Sequence, residues 1–231
     1  ARDLNNLGMV LHNLGDLSAA RESLERALHI ARKEYGEADP RVAATLNNLG
    51  MVLAARGDLK GAMNNYERAL QIDRESYGDC HPEVAVVLNN LGRVMHDLDD
   101  LPDARKHLRW ALKIHREVYG ASHAMVATDL NNLGGVLQDL GELAEARQCY
   151  ERASEIDREV YGTHHPKVAL RLNNLGLFLR DVGDLSGARR CLSEALGILR
   201  FHGTKGSDGF VCVEALQQNL QAIEKQSGQQ T

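Results

Sequence analysis

Leu4-Asn5-Asn6-Leu7-Gly8 is the stretch that decides the fold, because the same five-residue word returns at residues 46–50, 88–92, 130–134 and 172–176, always 42 residues further on. Five copies at one period mark an internal repeat and not a single globular core. Other columns keep the step: Leu17, Leu59, Leu101, Leu143 and Leu185; Ala20, Ala62, Ala104, Ala146 and Ala188; Ala27, Ala69, Ala111, Ala153 and Ala195. Within one unit, Leu4, Leu7, Gly8 and Leu11 recur at spacings of three and four, the stripe of an amphipathic helix, here helix A. A Gly-Asp-Leu turn follows, with Gly for the left-handed residue after a helix and Asp16, Asp58, Asp100 and Asp184 to cap the next one. Helix B carries Leu17, Ala20, Leu24, Ala27 and Ile30 and runs to Tyr35. Gly36 and its equivalents end it, and Pro40, Pro82 and Pro166 open the next helix A.

Small residues at Gly8, Ala20 and Ala27 let the helices approach at the short end of roughly 8 to 10 Å. The expected fold is all-α: a right-handed α-solenoid of antiparallel helix pairs in five repeats, 1–42, 43–84, 85–126, 127–168 and 169–208. A capping helix over 209–226 and a disordered tail over 227–231 complete the chain. The cap exposes Gln217, Gln218, Gln221, Glu224 and Lys225, as suits an element that shields the last repeat from water. Ala1 begins inside the repeat pattern without an initiator Met, which reads as a fragment of a longer protein.

Composition excludes several classes of function. Hydrophobic residues are 43%, charged residues 26% and aromatics 4% of the 231 residues, so the core is built from Leu, Ala and Val. The net charge of −5 and the lack of basic runs argue against nucleic acid. No apolar run is long enough for a membrane span, and no signal peptide is seen. Cys80, Cys149, Cys191 and Cys212 show no CxxC spacing, which points to a reducing, cytoplasmic setting.

The columns Leu4, Leu7, Gly8, Leu11, Ala20, Leu24 and Ala27 match the tetratricopeptide framework, whose usual unit is 34 residues. Asn-Asn-Leu in helix A, Arg116 to Gly120 at the end of helix B, and the His-Pro-x-Val-Ala openings at His81 and His165 resemble the kinesin light chain type of repeat. The resemblance implies a non-catalytic module that binds a peptide or partner protein along the face lined by the A helices. Similar long repeats also serve as sensor or scaffold segments of large signalling ATPases, where self-association enters, and this stands as the alternative. Kinesin light chains read Leu-Asn-Asn-Leu-Ala with a Tyr one turn later, whereas this chain has Gly8 and Leu11. The basic residues that receive acidic cargo are not repeated here.

With the core direction set by Leu4, Leu7, Gly8 and Leu11, a helical wheel places repeat positions 2, 6, 9 and 13 opposite, with 5 and 12 on the flank. Position 6 is Asn6, Asn48, Asn90, Asn132 and Asn174; position 5 includes Asn47, Asn89 and Asn131. Each carboxamide offers an acceptor and two donors, so such a ladder can bond a peptide backbone without reading its sequence. The other reading is that the ladder ties neighbouring helices together. The variable columns carry Met51 and Arg93 at position 9; His96, Gln138 and Arg180 at position 12; and Asp97, Asp139 and Asp181 at position 13. They predict an apolar wall in the first two repeats and an acidic one in the last three, suited to a ligand with a hydrophobic and a basic part. Alternatively the Asp residues are solvated charges before a turn.

No catalytic site, cofactor or metal site is expected. His81, His123 and His165 share one column, but equivalent atoms one repeat apart are separated by about 10 Å or more, too far to share a metal. The resemblance gives this His a structural role in the loop before helix A. Cys149 and Cys191 sit one repeat apart on B helices, beyond disulfide reach. Glycines never form GxxxxGK[ST].

Overall fold

A computed structural model describes residues 1–201 and 213–228 of the chain. Among the described residues there are eleven helices and no strand. The A helices are α1 (Arg2–Asn13), α3 (Pro40–Ala55), α5 (Pro82–Asp97), α7 (Ala124–Asp139) and α9 (Pro166–Asp181). The B helices are α2 (Leu17–Tyr35), α4 (Leu59–Tyr77), α6 (Leu101–Tyr119), α8 (Leu143–Tyr161) and α10 (Leu185–Phe201), and α11 (Val213–Gly228) closes the series. The chain forms two compact units, Ala1–Val118 and Tyr119–Thr231. In the first, α1 to α3 each pack on the next helix, α4 packs on α5, and the A helices α1, α3 and α5 touch in turn. In the second, α7 to α10 each pack on the next helix, with α7 also on α9 and α9 on α11.

Side-chain caps set the helix starts. Asp16, Asp58 and Asp184 accept from the backbone N–H three residues on, at 3.0, 2.9 and 2.8 Å, and Asp100 does so at 3.5 Å. A helices begin under a different cap: Nδ1 of His81, His123 and His165 accepts from the N–H two residues on, at 3.3, 3.2 and 3.1 Å. The same rings stack on Tyr77, Tyr119 and Tyr161 at the end of the preceding B helix, with centroids 4.3, 4.4 and 4.7 Å apart. This is the structural role expected of the His column. At the ends of the B helices, Gly36, Gly78 and Gly162 take φ of 82 to 88° with ψ of 159 to 167°, a region open in practice only to glycine.

Gly8 and its equivalents are packing residues. A Cβ on Gly50 would lie 2.7 Å from Tyr66 Cε1, and one on Gly92 would lie 2.7 Å from Leu108 Cγ and 3.2 Å from the Ala104 carbonyl. The core face of helix A is wider than the wheel of Leu4, Leu7, Gly8 and Leu11 predicts. Position 10 (Val52, Val94, Val136, Phe178) is buried throughout α3 to α9, and so is position 3 (Thr45, Val87, Asp129, Arg171). The reason is sandwiching: within a unit an A helix meets its own B helix and the B helix before it, so more than one stripe is covered. At the C-terminus, residues 227 and 228, expected in the tail, belong to α11. Residues 202–208 of the expected fifth repeat, 209–212 of the expected cap and 229–231 of the tail lie outside the described residues.

Candidate functional site

The candidate site is the outward face of the A helices, taken unit by unit. In the first unit, Asn48 Nδ2 donates to Asn5 Oδ1 at 3.0 Å, and Asn90 Nδ2 donates to Asn47 Oδ1 at 2.9 Å. In the second, Asn174 Nδ2 donates to Asn131 Oδ1 at 2.9 Å, and Asn131 Nδ2 donates to Asn132 Oδ1 at 3.4 Å. The position 6 carboxamide of one repeat thus ties itself to position 5 of the repeat before, which is the bracing reading of the ladder. Bracing leaves capacity over: a carboxamide has two donors and an acceptor with two lone pairs. Asn48 and Asn90 each spend one donor in their bond and stay partly exposed. Asn6 is exposed, whereas Asn89 is 7% exposed and belongs to the helix packing.

The variable columns divide differently from the expected walls. Met51 and Ala54 are partly buried and pack on the core cluster of the first unit, so they are less of a free wall than the wheel suggests. Arg93 and Asp97 are exposed and His96 is partly buried. In the second unit Asp139 and Asp181 are exposed, but Asp181 accepts from Arg180 Nη2 at 2.8 Å and from Gln138 Nε2 at 3.2 Å. Gln138 also accepts from Tyr150 O–H at 3.2 Å. Arg180 neutralises Asp181, so the acidic character expected of this column is reduced in the fifth repeat.

Among the described residues three carboxylates are buried, Asp73, Asp129 and Asp157, and Asp73 and Asp157 share one column of helix B. Asp157 on α8 is 1% exposed and accepts from Arg171 Nε at 2.8 Å, while Arg171 Nη2 donates to Thr128 Oγ1 at 2.9 Å. Asp73 on α4 holds the same repeat position as Asp157 and is 4% exposed, yet no hydrogen bond reaches its carboxylate among the described residues. Asp73 borders a cavity of about 330 Å³ between α3, α4 and α5, lined also by Arg41, Ala44, Asn47, Asn48 and Glu83. Burial, and then the nearby Glu83 carboxylate, push the Asp73 carboxyl up to about 7. The signal in the sequence is the column Ala31, Asp73, His115, Asp157 and Leu199, where polar residues stand among the apolar columns of helix B.

Among the described residues no group of three His, Cys, Asp or Glu side chains could hold a metal ion, and no helix is long and apolar enough to cross a membrane. Cys80, Cys149 and Cys191 form no disulfide.

The sequence matches the profile of the tetratricopeptide repeat over residues 3–75, 41–117, 83–138 and 124–200. The fold is similar to that of BtubC (BKLC) from P. vanneervenii, with a TM-score of 0.73 at 23% identity, over 94% of this chain and 84% of that one. It is also similar to a kinesin light chain candidate from Podosopora anserina with nearly identical TPR-like repeats. A substituted form of that protein gives a TM-score of 0.71 at 19% identity over 87% of this chain and 95% of that one. A second structure of it gives 0.69 at 19% over 88% and 97%. No curated protein matches the sequence.

Proposed function

The chain belongs to the tetratricopeptide repeat family, in a 42-residue form whose fold is like that of kinesin light chain-type repeat proteins, and on that premise we propose that it is a non-catalytic module that receives a peptide along its A helices. Repeats of this family are in general protein-interaction modules. The observation that carries the reading is the state of Asn48 and Asn90. Each carboxamide is held in one orientation by its bond to the preceding repeat, and each keeps a donor and an acceptor on a partly exposed face. Fixed polar groups of this kind bond a ligand backbone with little further loss of rotamer freedom. The surrounding variable residues, Arg93, His96 and Asp97 in the first unit and Gln138, Asp139 and Arg180 in the second, are the candidates for side-chain selectivity.

The test is a peptide-array screen with the 231-residue chain, followed by fluorescence anisotropy on the tightest binder. Asn48→Ala removes both the brace and the ligand-facing groups, whereas Asn5→Ala removes the brace alone. Asn48→Ala is expected to weaken binding at least about fivefold more than Asn5→Ala, with far-UV circular dichroism unchanged in both. Equal effects of the two variants assign the Asn ladder to bracing only and refute the groove.

A further inference from the structure

The repeats supply their own comparison for the cavity beside Asp73. At the junction of the fourth and fifth repeats, position 31 is Asp157, and the next repeat's position 3, Arg171, fills the space in front of it. Its guanidinium bridges Asp157 and the Thr128 hydroxyl, with the ion pair buried. At the junction of the second and third repeats, position 31 is again an aspartate, Asp73, but position 3 is Val87 and the position equivalent to Thr128 is Ala44. Both replacements are shorter and apolar, and both residues line the 330 Å³ cavity. A second cation is missing at this junction as well. The residue after the helix-opening Pro is Arg41 at the first junction, lying over the Tyr35 ring, and Lys167 at the fourth, lying over the Tyr161 ring. At the second junction it is Glu83. The groups facing Asp73 are therefore Glu83 from α5, Tyr77 from its own helix and Arg41 from α3, and Arg41 is engaged by Asp39 through two bonds of 2.7 Å.

A carboxylate on a side chain only 4% exposed, with no hydrogen bond from the described residues, beside a second carboxylate and an opening large enough for a side chain, is a site for a cation from outside. Asn47 and Asn48 form part of the same lining, so the opening lies on the face proposed above for the ligand backbone. We propose that the cavity over Asp73 is the anchoring pocket for an arginine side chain of the bound peptide, whose guanidinium takes the place that Arg171 takes in front of Asp157. This rests on the reading that the A-helix face binds peptides. Guanidinium is favoured over ammonium because the occupied copy in the same chain uses a fork of donors, one arm to the carboxylate and one to the opposite wall. The lining of the pocket has Ala44 at the Thr128 position and offers the carboxamides of Asn47 and Asn48 as acceptors.

The probe is an acetylated, amidated Ala-Ala-Arg-Ala-Ala peptide titrated into the 231-residue chain by calorimetry, beside counterparts carrying citrulline, lysine or glutamate. The arginine peptide is expected to bind at least about tenfold more tightly than the citrulline peptide and more tightly than the lysine one, with the glutamate peptide silent. Asp73→Asn, which keeps the shape of the side chain, lowers the arginine affinity at least about tenfold. Val87→Arg places a guanidinium in the pocket from within and abolishes binding. Affinity for the arginine peptide rises between about pH 5 and 8 as the Asp73 carboxyl loses its proton. Equal binding of the arginine and citrulline peptides, no binding of either, or an Asp73→Asn variant with unchanged affinity overturns the anchor. If Asp73→Asn and Val87→Arg leave the array-selected peptide unaffected while Asn48→Ala weakens it, the anchor falls and the groove stands. If Asn48→Ala also has no effect beyond that of Asn5→Ala, both fall.

Discussion

Replacing Arg171 by Met keeps much of the length of the side chain and removes its charge, and the structure allows the cost to be worked out. Arg171 is 7% exposed and Asp157 1%, so neither group is screened by water. Among the described residues the Arg171 guanidinium supplies the hydrogen bond that Asp157 accepts, and one carboxylate oxygen, Oδ1, already has no partner. Taking Arg171 away leaves a buried charge with neither counter-ion nor hydrogen bond, a loss of about 3 to 5 kcal/mol. Removing both charges in Arg171→Met with Asp157→Leu exchanges the pair for apolar contact, which is neutral or stabilising in comparable pairs. The double variant is therefore expected to be more stable than the Arg171→Met single variant by at least about 2 kcal/mol. In a repeat array stability is close to a sum of local terms, so native-state hydrogen exchange at the amides of α8 and α9 reads the loss more directly than a global melt. A single variant within about 1 kcal/mol of the wild type, or a double variant no better than the single, refutes the view that charge compensation holds this junction.

Ala104→Leu is expected to cost about 1 to 3 kcal/mol by overpacking, because Ala104 is fully buried and its carbonyl lies on the close approach to Gly92; urea denaturation measures it, and an unchanged midpoint contradicts the packing argument. Asp99 is a non-glycine residue at φ of 65° in a turn where Gly15, Gly57, Gly141 and Gly183 serve the other repeats, so Asp99→Gly should raise stability by about 0.5 to 1 kcal/mol in the same assay. Asp73 has a folded-state carboxyl raised from 3.8 to about 7, so the folded state holds that proton more tightly than the unfolded chain. Its contribution to stability is full below about pH 4 and is lost as the pH rises through about 7, which Asp73→Asn avoids. The advantage of Asp73→Asn over the wild type should grow between about pH 4 and pH 8, and a constant difference across that range contradicts it.

The recurrence of Leu-Asn-Asn-Leu-Gly every 42 residues, with Gly, Asp and Pro at fixed offsets, by itself determined the helix pairs and most of their ends. Periodicity and capping act over a few residues, so they can be read from one chain. It also brought the Asn columns to the candidate face. What it left open is everything decided across a helix–helix junction. Whether Asn48 bonds Asn5, whether Met51 leans on the core, and whether Arg180 quenches Asp181 depend on side chains meeting in space. The contrast between Asp73 and Asp157 shows the reason most plainly. Both stand in the same column with the same local sequence rules, and at the same onward distance along the chain one finds Val87 and the other Arg171. Only the packing of α4 on α5 and of α8 on α9 turns those two pairs into an open, unbridged carboxylate in one case and a buried ion pair in the other, because burial and charge compensation belong to the junction and not to either helix alone.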